Sequence, residues 1–404
     1  MVKDTKVVKV GDYVVSVKGK KPKRVSSVQT AECPLPYINI KAFEKNIIDE
    51  YTDGVGCALC EDGDFLMVWD GSRSGYVGKA IKGAVGSTLV KLDFPDIENN
   101  YAYYFLQSKY VEINTRAKGV GIPHVDPNIL WNYDLLIPPK PTQQAIVSKI
   151  EELFSELDKG IENLRTARQQ LKTYRQAVLK WAFEGRLTNE NVKDAELPKG
   201  WQITILGDFI ESISSGKSYR CNERPPNEDE VGIVKVSSVT WGFFDEMQSK
   251  TCFSNDFLNI KYLIKQEDFL FSRANTLEFI GACVIVKNIE KTLMLSDKIL
   301  RFVFSNDVSK EFVLYYLRSK KGRKQIETLS TGNHDSMRNI GQEKIRNIEF
   351  PYCSLNEQKK IVQEIESRLS VADKMEESIT QSLQQAEGLR QSILKKAFEG
   401  KLAN

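Results

Sequence analysis

Residues Lys180–Asn191 read KWAFEGRLTNEN, and the stretch Lys395–Asn404 reads KKAFEGKLAN. The shared core is Ala182-Phe183-Glu184-Gly185-Arg186-Leu187 against Ala397-Phe398-Glu399-Gly400-Lys401-Leu402, an offset of 215 positions (182 to 397). The same offset carries QQAIVSKIE, Gln143–Glu151, onto QKKIVQEIE, Gln358–Glu366. A whole segment therefore recurs without insertion or deletion. Upstream the offset drifts. Gly11-Asp12-Tyr13 matches Gly207-Asp208-Phe209, Asp64-Phe65-Leu66 matches Asp268-Phe269-Leu270, and Phe105-Leu106-Gln107-Ser108 matches Tyr316-Leu317-Arg318-Ser319. The chain is a tandem duplication of a variable unit followed by a fixed one. Surface loops absorb length changes; a packed helical register does not.

The fixed unit reads as a long helix. Between Gln143 and Trp181 there is no proline and one glycine, and apolar residues recur every three or four positions: Ile146, Ile150, Phe154, Leu157, Ile161, Leu164, Leu171, Tyr174, Val178 and Trp181. The second copy repeats the phase with Ile361, Ile365, Leu369, Ala372, Ile379, Leu383, Ala386, Leu389 and Ile393. This is a near-heptad seam. Pro141 and Thr142 suit a helix start, and Gly185 and Gly400 suit a C-terminal cap. Forty-odd residues make a rod of about 60 Å. One apolar stripe of that length requires a partner. The other copy, tethered on the same chain, is the favoured one, in antiparallel pairing; a helix of another subunit is the alternative.

The variable units read as mixed α/β. The first carries β-rich runs at Tyr13–Val17, Phe65–Trp69 and Ser87–Leu92 and a helical run at Tyr101–Lys109. The second opens at LPKGW, Leu197–Trp201. It carries strand-like runs at Gly232–Val239, Phe269–Arg273, Gly281–Val286 and Ile299–Phe304 and a helical run at Glu311–Lys321. The expected fold is α+β. Two mixed domains, 1–140 and 188–354, alternate with two long helices, 141–187 and 355–404, that pair as an antiparallel coiled coil in a pseudo-two-fold tandem repeat.

Composition limits the functions available. The 404 residues are 41% hydrophobic and 27% charged, with a net charge of +3. That is enough apolar residue for real cores and too little positive excess for a protein that coats polyanions. Seven scattered cysteines make no disulfide framework and fit a reducing, cytoplasmic setting. The opening MVKDTKVVKVGDYVV holds no apolar core of signal-peptide length, and no apolar run is long enough for a membrane span.

Catalytic motifs are missing from the sequence. Gly216-Lys217-Ser218 has Glu211 where a phosphate-binding loop needs its first glycine. Cys57 and Cys60 form a single C-x-x-C with no second pair, so buried thiols are favoured over a zinc site, and the two histidines, His124 and His334, fall in different units. There is no Gly-x-Ser-x-Gly elbow, and Pro225-Pro226-Asn227 has the wrong order for an amino-methyltransferase tetrapeptide. No carboxylate–lysine cluster of a metal-dependent nuclease stands out either.

The binding signal lies in loops. Lys18–Arg24 is a basic loop in which Lys20, Lys21, Lys23 and Arg24 can neutralise phosphates. Asp70–Lys79, DGSRSGYVGK, offers Ser72, Arg73, Ser74, Tyr76 and Lys79 on a glycine-rich backbone. The matched stretch Phe271–Gly281 offers Arg273, Asn275 and Thr276; arginine can fork onto guanine and asparagine onto adenine. GNHDSMRN, Gly332–Asn339, adds His334 and Arg338, and its counterpart is KGVGIPHVD, Lys118–Asp126. Arg220 completes the expected set of DNA contacts. An ordinary solvated turn is the competing reading of each loop taken singly; unlike polar loops at matched places in two copies favour binding.

The whole chain resembles the specificity subunit of Type I restriction-modification systems. The resemblance rests on LPKGW with the Gly-Asp-Phe that follows, on EQKKIVQEIE after Pro351, and on the AFEG(R/K)L helix ends. It rests also on two unlike cores, DGSRSGYVGKAIKGAVGSTL and SRANTLEFIGACVIVKNIEKTLMLSDKIL. The first unit departs from the pattern in lacking an LPKGW-like start and in opening its helix with PTQQ.

The resemblance implies that each variable unit is a target-recognition domain for one half of a bipartite, asymmetric site in double-stranded DNA. The helices would fix the number of unread base pairs between the halves. Two modification (methyltransferase) subunits would carry S-adenosylmethionine and methylate a flipped adenine. Restriction (motor-nuclease) subunits would use ATP and Mg. This chain would be non-catalytic, with no cofactor of its own. The alternative is a scaffold, unconnected with DNA, whose two arms bind proteins.

Overall fold

The computed structural model describes residues 5–119, 121–189, 192, 196–335 and 337–402, and of Asn333 only the backbone. Of the stretches quoted above, Met1–Asp4, Val120, Glu190, Asn191, Ser336, Ala403 and Asn404 lie outside the described residues. The chain divides into two units. One is Met1–Arg165 with Thr380–Asn404; the other is Thr166–Ile379.

Both units are built on one plan. In the first, four antiparallel strands run in the order Val15–Lys18, Leu89–Asp93, Phe65–Val68, Val77–Lys79. In the second the order is Ile210–Ser215, Ile299–Phe304, Phe269–Ser272, Cys283–Ile285. The third strand of each is buried along its whole length. Alternate side chains enter opposite cores: Phe65 and Met67 one, Leu66 and Val68 the other. Phe269 and Phe271 likewise oppose Leu270. A sheet covered on both faces explains why FLMV and FLFS are continuously apolar rather than alternating.

The register repeats in detail. Lys91 lies opposite Leu66 and pairs with Asp64; Arg301 lies opposite Leu270 and pairs with Asp268 at 3.2 Å. A second sheet in each unit contains one parallel pair, Leu35–Ile38 with Gly83–Val85 and Val231–Val234 with Thr292–Met294. Two-stranded ribbons, Lys6–Lys9 with Asp134–Ile137 and Gln202–Ile205 with Glu349–Tyr352, complete the plan.

Several sequence-derived bounds shift. Tyr13 ends a helical turn, Val10–Tyr13, and does not open a strand. Ser87 and Thr88 precede the strand that starts at Leu89. Gly232–Val239 is half strand, Val231–Val234, and half 3-10 turn, Val236–Val239. The run at Glu311–Lys321 splits at Ser319 into helices Lys310–Arg318 and Lys320–Leu329. Ser319 caps the second helix by accepting from the Gly322 N–H at 3.2 Å. Gly322 packs so closely on the Tyr316 carbonyl that a Cβ there would collide with it.

The long helices are Lys140–Phe183 and Leu355–Phe398, 44 residues each. Gly185 and Gly400 end them at φ +76° and +72°, the left-handed conformation that glycine adopts without strain. The next N–H closes the cap: Arg186 to Trp181 O at 2.9 Å, Lys401 to Lys396 O at 2.8 Å. In the first unit Val147, Ile150 and Phe154 share a core with Ile393, Leu394 and Ala397. In the second, Val178, Leu179 and Ala182 share one with Ile361, Val362 and Ile365. The start of each helix meets the end of the other, so the pairing is antiparallel. Arg175 adds hydrogen bonds to Asp373 at 2.5 Å and Glu376 at 2.8 Å, and Arg390 pairs with Asp158. Two residues expected on the seam are not covered: Trp181 is 36% exposed and Leu389 50%.

Candidate functional site

The sequence presented the polar loops as separate features; within each unit the fold brings them together. In the first unit the backbone of Asp70 bridges to His124, and His124 bridges on to Lys118. The Gly71 N–H donates to Pro123 O at 2.8 Å, and the Val125 N–H to Trp69 O at 2.9 Å. In the second unit Ala274–Asn275 pairs with Met337–Asn339, which folds back on Thr331–His334. There the Ile340 N–H donates to Arg273 O at 3.0 Å, and the Leu277 N–H to Asp335 O at 2.8 Å. Asn275, His334 and Arg338 thus belong to one small sheet, and Arg273 lies directly before its first strand.

A third loop is matched as well. The Gly19 N–H donates to Leu89 O at 2.9 Å, setting the basic loop beside the turn Gly86–Leu89. The Gly216 N–H donates to Ser296 O at 3.2 Å, setting Lys217–Arg220 beside Ser296–Lys298. At either glycine a Cβ would strike a carbonyl oxygen, of Gly86 or of Leu295. This close approach is why both positions are glycine.

The expected contact residues divide by what their side chains already do. Lys20, Lys21 and Lys23 are exposed, and their ammonium groups have no ion-pair or hydrogen-bond partner among the described residues; Arg24 lies 3.9 Å from both Glu32 and Asp53. Arg220 and His334 are exposed. Arg273 is half-buried, and its guanidinium has no partner among the described residues. Ser72 is exposed, while Lys79 is exposed with its ammonium 5.8 Å from the centre of the Tyr103 ring.

Others are engaged internally. Arg73 lies 4.0 Å over the Tyr76 ring and 3.3 Å from Glu44. Burial opposes its charge, but the Tyr110 hydroxyl and Glu44 raise its pKa above the usual arginine value. Tyr76 packs edge-on against Phe43 and Tyr110. Ser74 is fully buried. Asn275 accepts the Thr276 N–H at 2.9 Å, and the Thr276 hydroxyl is shut off from solvent. Arg338 donates to Ser330 O at 3.0 Å and Gly332 O at 2.9 Å, so it clamps its own hairpin. Arg73 and Arg338 thus brace the loops that carry them, and the Ser74 and Thr276 hydroxyls are enclosed.

Three residues that brace these loops escaped sequence reading. Asn114 donates to the carbonyls of Ser72 at 3.0 Å and Ser74 at 2.9 Å. Arg323 donates to the carbonyls of Ile280 and of Glu278 at 3.1 Å, and burial lowers its pKa. Arg318 ties Gly242 O to Cys283 O, each at 2.7 Å. Each reaches tens of positions along the chain, beyond any local spacing rule.

No group of three or more His, Cys, Asp or Glu side chains among the described residues is placed to hold a metal ion. The Cys60 thiol donates to the carbonyls of Ile81 and Gly83, and burial pushes its pKa up to about 11. No helix of the described residues is long and apolar enough to cross a membrane.

Two copies of one α/β unit, each presenting unlike loops at the same edge and each holding the ends of two long antiparallel helices, define the class. The family described as Type I restriction modification DNA specificity domain matches residues 2–165 and 198–385, and the chain belongs to it. It is 28% identical to the Type I restriction enzyme MjaVIII specificity subunit of Methanocaldococcus jannaschii, over 99% of this chain and 93% of that protein. It is 26% identical to the EcoKI specificity subunit of Escherichia coli K12, over 72% of this chain and 62% of that one. Two solved structures share the fold. A chain from work on assembly and conformational transition of the type I R-M system superposes with a TM-score of 0.70 at 17% identity, covering 98% of each chain. The HsdS subunit from Thermoanaerobacter tengcongensis gives 0.59 at 15% identity, over 99% of this chain and 98% of that one.

Proposed function

We propose that this chain reads a bipartite, asymmetric sequence in double-stranded DNA, one half per unit, and directs adenine methylation or restriction performed by partner subunits. The observation that carries this is the matched loop pair. The same backbone framework presents Asp70–Lys79 beside Lys118–Asp126 in one unit and Phe271–Gly281 beside Gly332–Asn339 in the other, with different side chains. Identical arms would suit a palindrome; unlike arms suit two different half-sites. Lys20, Lys21, Lys23, Lys79, Arg220 and Arg273 are among the cations open to DNA, and the long helices fix the number of unread base pairs.

The chain is a non-catalytic subunit in this reading. S-adenosylmethionine, ATP and Mg belong to the modification and restriction partners, and the assembly works in the cytoplasm. An apolar cleft of about 530 Å³ between the helices, lined by Leu157, Ile161, Leu164 and the exposed Leu389, supports docking of a protein partner. The test is single-molecule methylome sequencing of a host expressing this chain with its modification subunit. A two-part asymmetric motif is expected. Methylation without sequence preference would overturn the reading, and binding to protein alone would favour the scaffold alternative.

A further inference from the structure

The second unit contains a cleft of about 400 Å³ that the sequence did not disclose. Its floor is the end of the buried strand Val231–Val234, Ile233 and Val234. One wall is the loop after Gly216 and the other is the turn Ser296–Lys298. Glu223 accepts from Lys250 at 2.5 Å and lies 3.4 Å from Lys235, so one carboxylate serves two ammonium groups. Ser218 donates to Asp297, which fixes the rim. Lys298 is exposed and has no side-chain partner among the described residues. Ser296 is 8% exposed and borders the cleft, its hydroxyl shut off from solvent and without a hydrogen-bond partner. Three lysines against two carboxylates make a pocket suited to an anion.

Position narrows the choice of anion. The Arg273 N–H donates to Lys298 O at 2.9 Å, so the rim of the cleft is the next strand over from the loop expected to meet bases. Lys217 and Arg220 extend the positive edge. The register that matches Lys91 with Arg301 places Gly86, Ser87 and Thr88 where this unit has Ser296, Asp297 and Lys298. None of those three residues of the first unit is a cation.

We infer that the cleft seats one backbone phosphate of the DNA strand whose bases face the Arg273 loop, with Lys298 as its charged contact. The inference rests on the reading of the second unit as a DNA-recognition domain. The contact positions the duplex and carries no sequence information of its own.

The chain assembled with its modification subunit is titrated with duplex DNA carrying its methylated motif, from about 50 to about 200 mM salt. One lost phosphate contact makes the slope of log K against log salt shallower by about 0.9. Lys298→Ala should show that change with an unaltered methylation motif, and Lys298→Arg should restore the slope. A duplex with a single phosphate replaced by a neutral methylphosphonate should weaken wild-type binding at one position of one half-site, and Lys298→Ala should be insensitive to that replacement. An unchanged slope in Lys298→Ala, with wild-type binding intact, overturns the phosphate seat alone. A motif relaxed at one base in Lys298→Ala also overturns it, reassigning the residue to base reading. Absence of specific binding by the wild-type assembly overturns the DNA reading itself.

Discussion

The backbone N–H of Ser309 donates to the side-chain oxygen of Gln358 at 2.8 Å, and the same amide donates to the carbonyl of Cys353 at 2.8 Å. Gln143 makes the matching pair of bonds in the first unit, from the Glu98 N–H at 2.9 Å and to Pro138 O at 2.8 Å. Both glutamines are buried, and each joins the first turns of a long helix to the N-terminus of a domain helix. Replacing Gln358 by leucine leaves a buried donor and a buried acceptor unpaired. Each orphaned group costs roughly 1–3 kcal/mol, so Gln358→Leu should lose about 3 kcal/mol of stability. A lower urea midpoint would show it, with Gln358→Glu between the two because it keeps the acceptor.

The repeated Ala-Phe-Glu-Gly motif has a matching explanation. Phe398 packs edge-on against Tyr101 and Phe105 at 5.1 and 5.4 Å between ring centres. Phe183 does the same to Phe312 and Tyr316, both at 5.1 Å. The end of the second helix is thus part of the first unit's core, and the end of the first helix part of the second's. Phe398→Ala should cost up to about 3 kcal/mol, because the ring is partly buried and its loss leaves an incomplete cavity. Hydrogen exchange should rise in helix Asn99–Thr115; unchanged exchange there would deny the docking role.

These pairs show what the sequence could and could not convey. The exact recurrence of Gln143 with Gln358, and of Phe183 with Phe398, revealed the duplication and the helices, because a packed helix keeps its register. It did not reveal that each copy's end packs with the other copy's domain helix, since contact partners leave no mark in spacing. The loops were legible as polar and matched, but not as neighbours. Asp70 bridges directly to His124, and the Ile340 N–H donates directly to Arg273 O, partners that lie tens of positions apart in the chain. The cleft beside Lys298 was invisible because its walls come from three distant stretches.

Beside that cleft, Glu230 accepts a forked pair of hydrogen bonds from Arg224 at 2.6 and 2.7 Å and a third from the Asn227 N–H at 2.8 Å. Arg224 first, then that backbone N–H, holds the Glu230 carboxyl down at about 2 against an ordinary 4.5. A depressed folded-state pKa gives stability that is full above about pH 4.5 and is lost as pH falls through about 2. The wild type's advantage over Glu230→Gln should therefore be constant near neutrality and fade across that acid window. Paired urea titrations at stepped pH would check it; an advantage that grew on acidification would contradict the bond.

Two arginines that look alike in the sequence should behave differently. Arg273 has a free guanidinium on the paired loops, whereas Arg73 is held by Glu44 and the Tyr76 ring. Arg273→Ala should weaken recognition of one half-site by about 1–3 kcal/mol if it forks onto a base, leaving the other half and the fold unchanged. Arg73→Ala should instead lower the stability of the first unit by about 1–2 kcal/mol, through the lost ring contact and the partly buried Glu44 carboxylate. It should blur its half-site only as the loop loosens. Methylome sequencing read beside thermal unfolding separates the two. A stable Arg73→Ala protein with one base relaxed would return Arg73 to base reading. A uniform loss of affinity over all DNA sequences in Arg273→Ala would move that residue to the phosphate backbone.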